Sequence, residues 1–236
     1  SYIDWQPSDD PLLRGSEVEA HEALHQQRAD KRQNASALLQ NPRLAVFPQA
    51  ERIVGTRICG RVLDVGCGNG YASSWLALNR PVEEIYALEA THSAVESLIP
   101  STLSHLNVPA GIVKPTLGSF NQIPVTSFFD FVVAMGALHH STNLLRTLQE
   151  CAKALKPGGF LIAQEPASED SATNEEFLAR YTAFEAFYGQ HIQAGSRDDH
   201  FFRQCEYKTA LHHAGLDVLH FKPFRPLGQP IHFLKL

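Results

Sequence analysis

Apolar positions along this chain fall into two rhythms. Between residues 61 and 164, apolar runs at 62–65, 84–88, 128–135 and 160–164 are separated by stretches of helical spacing at 71–78, 93–103 and 144–155. Such short runs, bounded by turn residues, predict buried strands, and the intervening spacing predicts amphipathic helices. Residues 111–114 supply one further short strand. Strands that alternate with helices predict a parallel sheet covered on both faces. Leu155, Lys156, Pro157, Gly158 and Gly159 predict a sharp stop and turn before the last of these strands.

The flanks differ. Residues 1–50 are rich in Ala, Gln and Glu and poor in apolar spacing, with Ser16 and Glu19 at capping-box separation and a stop at Asn41-Pro42. This predicts a helical lid or cap over 1–52 that lies on the domain rather than inside it. The rest, 53–236, predicts one α/β domain with a helical insert at about 168–203. Residues 174–188 carry aromatics at helical spacing, and a loop with Gly195, Asp198 and Asp199 follows. Residues 206–214 predict a helix closed by Gly215, and 217–221 with 230–236 predict a closing antiparallel hairpin at the sheet edge.

Composition removes several classes of function. The chain has 236 residues, 44% of them hydrophobic and 19% charged, enough to fill the core of one α/β domain. A net charge of -5 argues against a broad nucleic-acid footprint. No apolar run is long enough to span a bilayer, and the start lacks a basic-then-apolar leader, so no membrane role is expected. The four cysteines, 59, 67, 151 and 205, form no C-x-x-C pair. That speaks against a disulfide framework or zinc knuckle and for a reducing, cytoplasmic setting. The chain starts at Ser1 without Met, which leaves room for a further domain in a longer parent chain; oligomeric state has no sequence signal.

The most specific stretch is Val62-Leu63-Asp64-Val65-Gly66-Cys67-Gly68-Asn69-Gly70. An apolar strand ends in an acid and a G-x-G-x-G turn, where backbone can approach a ligand closely. A nicotinamide-binding turn would place its last glycine at Tyr71 instead. The stretch resembles the first motif of the class I S-adenosylmethionine-dependent methyltransferases of small-molecule type. The resemblance covers about residues 55–165 and, loosely, the closing strands. It implies a Rossmann-like, doubly wound, seven-stranded and mostly parallel sheet with an antiparallel C-terminal hairpin and helical lid elements. It also implies S-adenosylmethionine as methyl donor and S-adenosylhomocysteine as product.

On that resemblance, bare backbone at Gly66, Cys67 and Gly68 borders the donor, Asp64 bonds its amine, and the next helix N-terminus suits its carboxylate. A plain strand-to-helix turn would use the same glycines for geometry alone. Glu89, followed by Ala90, ends the second strand, where an acid accepts ribose hydroxyls; a solvated strand-end acid is the alternative. Ser119 stands where the family often has an acid for the adenine amine, a departure that leaves Ser119 or Asn121 to bond the base and Phe120 to stack on it. Gly136 and Ala137 border the donor's methionine part, and His139 or His140 faces the acceptor as a proton acceptor, unless one caps a helix and the other packs on the sheet. Glu165 ends the next strand and orients a polar acceptor, or else is solvated. Tyr181, His191, His200 and Arg203, in and after the aromatic insert, are candidate acceptor contacts, against the plainer reading of a packed helix face.

His21-Glu22-Ala23-Leu24-His25 matches the zinc-protease H-E-x-x-H pattern. The extended form would need Gly and His where Arg28 and Lys31 stand, so no metal site is expected, and the helix reads as part of the lid. The expected activity is in-line methyl transfer to an O, N or C atom of a small molecule. An RNA or protein acceptor, or a non-catalytic donor-binding module, are the competing readings. An exocyclic-amine methylase would show an Asn/Asp-Pro-Pro-Tyr/Phe tetrad where His139 and His140 stand.

Overall fold

The structure, a computed structural model, describes residues 1–5, 19, 21–23, 25–26, 35–173, 175–176, 179, 202–224 and 232–235. The predicted aromatic helix at 174–188 lies almost entirely outside them, as do Ser16, Tyr181, His191 and His200.

The strands are β1 (Ile3–Asp4), β2 (Gly60–Val65), β3 (Val82–Glu89), β4 (Val113–Leu117), β5 (Phe129–Met135), β6 (Leu155–Ala167), β7 (Lys222–Phe224) and β8 (His232–Lys235). The helices are α1 (Ala35–Leu39), α2 (Val46–Val54), α3 (Tyr71–Asn79), α4 (Ile99–His105), α5 (Leu144–Ala154) and α6 (Gln204–His213). One sheet takes the order β1-β4-β3-β2-β5-β6-β8-β7. The first six strands are mutually parallel, and β8 pairs antiparallel with both β6 and β7. This is an α/β, Rossmann-like architecture. The chain winds outward from β2 through β3 to β4, then returns to lay β5 on the other side of β2. That reversal opens a crevice at the carboxyl ends of β2 and β5, where open α/β sheets bind ligands.

Alternation along the strands builds a core on each face. Leu63, Val65, Leu88, Val132 and Ala134 pack on one side with α5 and α6; Val62, Ile85, Ala87, Phe131 and Val133 pack on the other with α2 and α3. Among the described residues, no helix is long and apolar enough to cross a membrane.

Three elements differ from the sequence expectation. The sheet has eight strands, not seven, because the chain start is an edge strand rather than helix: Ile3 pairs with Thr116, the Trp5 amide donates to the Leu117 carbonyl, and the Trp5 ring stacks on Tyr86 at 5.4 Å. Two residues of alternation give too little period to register beside a capping box. Residues 42–54 pack into the domain's core. Leu44, Val46 and Phe47 are buried, and Phe47 stacks on Trp75 of α3 at 5.5 Å. Burying such a Phe is worth about 1.5–3 kcal/mol. The Pro157 turn is absorbed into β6, where Phe129 pairs with Leu155 and Phe131 with Phe160. A Cβ on Gly159 would lie 2.9 Å from the Asp130 carbonyl oxygen, so only glycine lets the bulged strand lie against β5.

Candidate functional site

The glycines after β2 do two different jobs. At Gly66, with φ +60°, a Cβ would come within 2.6 Å of the Ala137 Cβ; this glycine lets the loops after β2 and β5 touch. At Gly68, with φ +57°, a Cβ would meet nothing within 4 Å among the described residues. Gly68 is therefore the bare position that faces open space. Cys67 between them is buried, and burial pushes its thiol well above the usual range.

Asp64 is fully buried at the end of β2 and accepts a hydrogen bond from the Ser73 hydroxyl of α3 at 2.6 Å. Its other oxygen, Oδ1, is buried with no partner among the described residues. Burial pushes the carboxyl up to about 7, with Ser73 pulling it back through hydroxyl and amide. The positive end of α3 thus serves Asp64 first. The orphaned Oδ1 is an acceptor suited to an ammonium.

Glu89 bridges two turns. Its Oε2 accepts from the Gly68 amide at 2.9 Å and its Oε1 from the Ala90 amide at 2.8 Å. Each carboxylate oxygen keeps a second lone pair, which suits a vicinal diol. After β4, Ser119 is buried and its hydroxyl accepts from the Asn121 amide at 3.1 Å. Asn121 turns toward α5, its Oδ1 accepting from the Thr147 hydroxyl at 2.5 Å. Phe120 stands by the glycine turn, its ring edge 4.0 Å from a Cβ placed at Gly66.

At the end of β5, Gly136 has φ +74° and donates its amide to the Gln164 carbonyl. Glu165, one residue on in β6, is fully buried. It accepts from the Ala137 amide at 2.9 Å, the His139 amide at 3.3 Å and His139 Nδ1 at 2.9 Å. The carboxylate is therefore a buried clasp on the post-β5 loop rather than a solvated strand-end acid. A neutral His139 that gives its Nδ1 proton to Glu165 carries its lone pair on Nε2. The His139 and His140 rings lie 4.0 Å apart.

The N-terminal segment reaches this site. His21 meets His140 edge-on at 5.3 Å, His25 Nδ1 pairs with the Thr91 hydroxyl at 2.7 Å, and Glu22 accepts from the Ser93 amide at 2.7 Å. The three H-E-x-x-H side chains thus go to separate partners, and among the described residues no cluster of His, Cys, Asp and Glu could hold a metal ion. Arg43 was invisible to sequence reasoning, which ended the helix at Asn41-Pro42. Its Nη1 would lie 3.4 Å from a Cβ at Gly136, and its guanidinium acts on Tyr71, whose phenol burial pushes up to about 12. The Asn41 side chain accepts from the Arg43 amide at 3.0 Å. Arg203 lies at the cap of α6 and donates from Nη1 to the Ala172 carbonyl at 2.7 Å, which ties down the loop after β6 rather than presenting a fork to a ligand.

A cavity of about 650 Å³ lies elsewhere, between α2, the start of β6 and residues 215–220. It is at the amino end of the strands and includes none of the residues above.

A family model described as "Methyltransferase domain" matches residues 21–221. Over 146 residues the chain is 25% identical to a trans-aconitate 2-methyltransferase of Deinococcus radiodurans, covering 62% of this chain and 53% of that one. Over 109 residues it is 32% identical to a tRNA U34 carboxymethyltransferase of Pseudoalteromonas atlantica, covering 44% and 31%. The chain thus spans about half the length, or less, of the curated relatives it matches. Among solved structures, Haemonchus contortus phosphoethanolamine N-methyltransferase 2, in complex with phosphomonomethylethanolamine and S-adenosylhomocysteine, shares the fold. Its TM-score is 0.59 at 15% identity, over 78% of this chain and 38% of that one.

Proposed function

The chain belongs to the methyltransferase-domain family, and on that footing we propose that it moves a methyl group from S-adenosylmethionine to an O, N or C atom of a small-molecule acceptor by in-line displacement. The family draws on S-adenosylmethionine and leaves S-adenosylhomocysteine. When bound, the donor supplies an electrophilic sulfonium methyl, so the protein's task is to bind, orient and exclude water.

The observation that carries this reading is the bare, open position at Gly68 hydrogen-bonded to Glu89. A ligand lying there meets the Glu89 carboxylate for its ribose hydroxyls, Asp64 Oδ1 for its amine and Phe120 beside its base. Arg43, close to Gly136, suits the amino-acid carboxylate better than the end of α3, which is engaged with Asp64. On the acceptor side, His139 Nε2 is the proton acceptor, and Glu165 is a positioning residue that fixes its tautomer. A neutral amine acceptor would need no such base.

The tRNA-acting relative makes a nucleic-acid acceptor the second reading. The net charge of -5 weighs against it, since a polyanion calls for a basic face. Retention of the donor-facing set weighs against a non-catalytic module. A reducing, cytoplasmic setting suits four cysteines that are all unpaired.

The test is calorimetric titration of the chain with S-adenosylmethionine and S-adenosylhomocysteine, followed by a panel of small acceptors and a transcript. Saturable binding of both nucleosides and turnover on a small acceptor are expected. Failure to bind either nucleoside overturns the proposal.

A further inference from the structure

The three chemistry-bearing residues of the H-E-x-x-H motif have no place in the methyl-transfer scheme, yet each is engaged at the site. Glu22 takes the Ser93 amide at 2.7 Å, and its carbonyl takes the Ser93 hydroxyl at 3.1 Å. His25, only 4% exposed, pairs with the Thr91 hydroxyl. Thr91 and Ser93 follow directly on Glu89 and Ala90, so both bonds fall on the turn that carries the Glu89 carboxylate. His21, one helical turn from His25, reaches the other side of the crevice and packs edge-on against His140, whose ring lies tilted against that of His139. The i, i+4 spacing that mimics a zinc pair is used here to span two loops from one helical face.

From this geometry we infer that His21, Glu22 and His25 are positioning residues. They form a clamp that joins the donor-side turn after β3 to the histidine wall after β5. Glu22 and His25 hold the Glu89 turn in its binding form, and His21 sets the ring of His140. The clamp belongs to the site of the proposed methyl transfer and rests on that reading. It predicts a division of labour that core packing alone would not give: loss of the His25–Thr91 bond weakens nucleoside binding, whereas loss of His21 disturbs His140 and leaves nucleoside binding alone.

The probe is S-adenosylhomocysteine, titrated by calorimetry into the full chain. His25→Ala and Thr91→Val should each weaken binding roughly 3- to 10-fold, the worth of one buried hydrogen bond. The double variant should lose less than the sum of the two single losses, because both remove the His25–Thr91 bond. Thr91→Ser, which keeps the hydroxyl, should bind like wild type. His21→Ala should bind within about twofold of wild type while shifting the His140 ring resonances in a proton–nitrogen spectrum. If Thr91→Val and His25→Ala bind as tightly as wild type, even with a lowered Tm, the contacts serve stability only and the clamp is refuted. Additive losses in the double variant refute it as well. A wild-type chain that binds no S-adenosylhomocysteine instead brings down the methyl-transfer reading itself.

Discussion

The Gly68 amide donates to the Glu89 carboxylate at 2.9 Å, so the tips of neighbouring strands β2 and β3 are tied by one acid, the one proposed to take the donor's ribose hydroxyls. The same carboxylate takes the Ala90 amide, so it shapes the cradle as well as lining it. Glu89→Ala should therefore weaken donor binding by about 1.5–3 kcal/mol, the scale of charge-assisted hydrogen bonds. It should also lower Tm, because two amides lose their acceptor. Calorimetry and thermal melts separate the two effects, and wild-type affinity in this variant would remove Glu89 from the sugar site.

Two glycines two residues apart should fail in different ways. Gly66→Ala drives a methyl to 2.6 Å from the Ala137 Cβ, so the loops must part and stability should fall. Gly68→Ala meets no atom of the described residues within 4 Å and carries the left-handed φ penalty, about 1–2 kcal/mol. Gly68→Val adds bulk to the open space and should abolish donor binding in a chain that still folds. Melting curves beside titrations check the contrast; a Gly68→Val chain with intact affinity would show that the open space is not the nucleoside site.

These residues also show how far the sequence speaks. The strand-to-glycine turn and the acid ending β3 stand out because local pattern alone positions them: an apolar run, a tight turn, an acid at a strand tip. The different work of Gly66 and Gly68 was not legible, because it depends on where Ala137 arrives from a strand 70 residues on. Glu165 was expected to face an acceptor. Its burial under the Ala137 and His139 amides is a tertiary fact with no local signature. Arg43 escaped for the same reason, since nothing near Pro42 announces that its guanidinium will lie beside Gly136. The N-terminal strand escaped because two residues cannot display a period.

Asp64 ties stability to pH. Burial raises its folded pKa to about 7 from the ordinary 3.8, so the folded chain holds a proton that the unfolded chain has released. Stability should therefore fall as pH rises from about 4 toward 7 and then level off; below the unfolded value the group contributes no slope. Asp64→Asn should flatten that part of the profile. An ammonium placed at Oδ1 would favour the ionised acid, so donor binding at pH 6 should release a proton. Titrations in buffers of different ionisation enthalpy read that release, and it should vanish in Asp64→Asn. Equal proton release in both chains would place the amine elsewhere.

The His139–Glu165 pair carries the last prediction. In a neutral His139 that gives its Nδ1 proton to Glu165 across 2.9 Å, Nε2 is the basic atom of the ring, and the His140 ring lies 4.0 Å away. For a hydroxyl or carbon acceptor, His139→Ala should lower kcat by about 10²–10⁴, the usual contribution of a general base, with donor affinity held. Glu165→Gln keeps an oxygen for Nδ1–H but removes the negative charge that favours this tautomer. It should therefore lower kcat less than His139→Ala and displace the acidic limb of the pH–rate profile, the limb along which a general base loses its proton. His140→Ala should raise the acceptor KM more than it lowers kcat, because that ring lies beside His139 without being the proposed base. Steady-state kinetics over pH on the three variants decide the assignment. Full turnover in His139→Ala would leave the acceptor to lose its proton to water, and Glu165 would then act only as the clasp on the Ala137 loop.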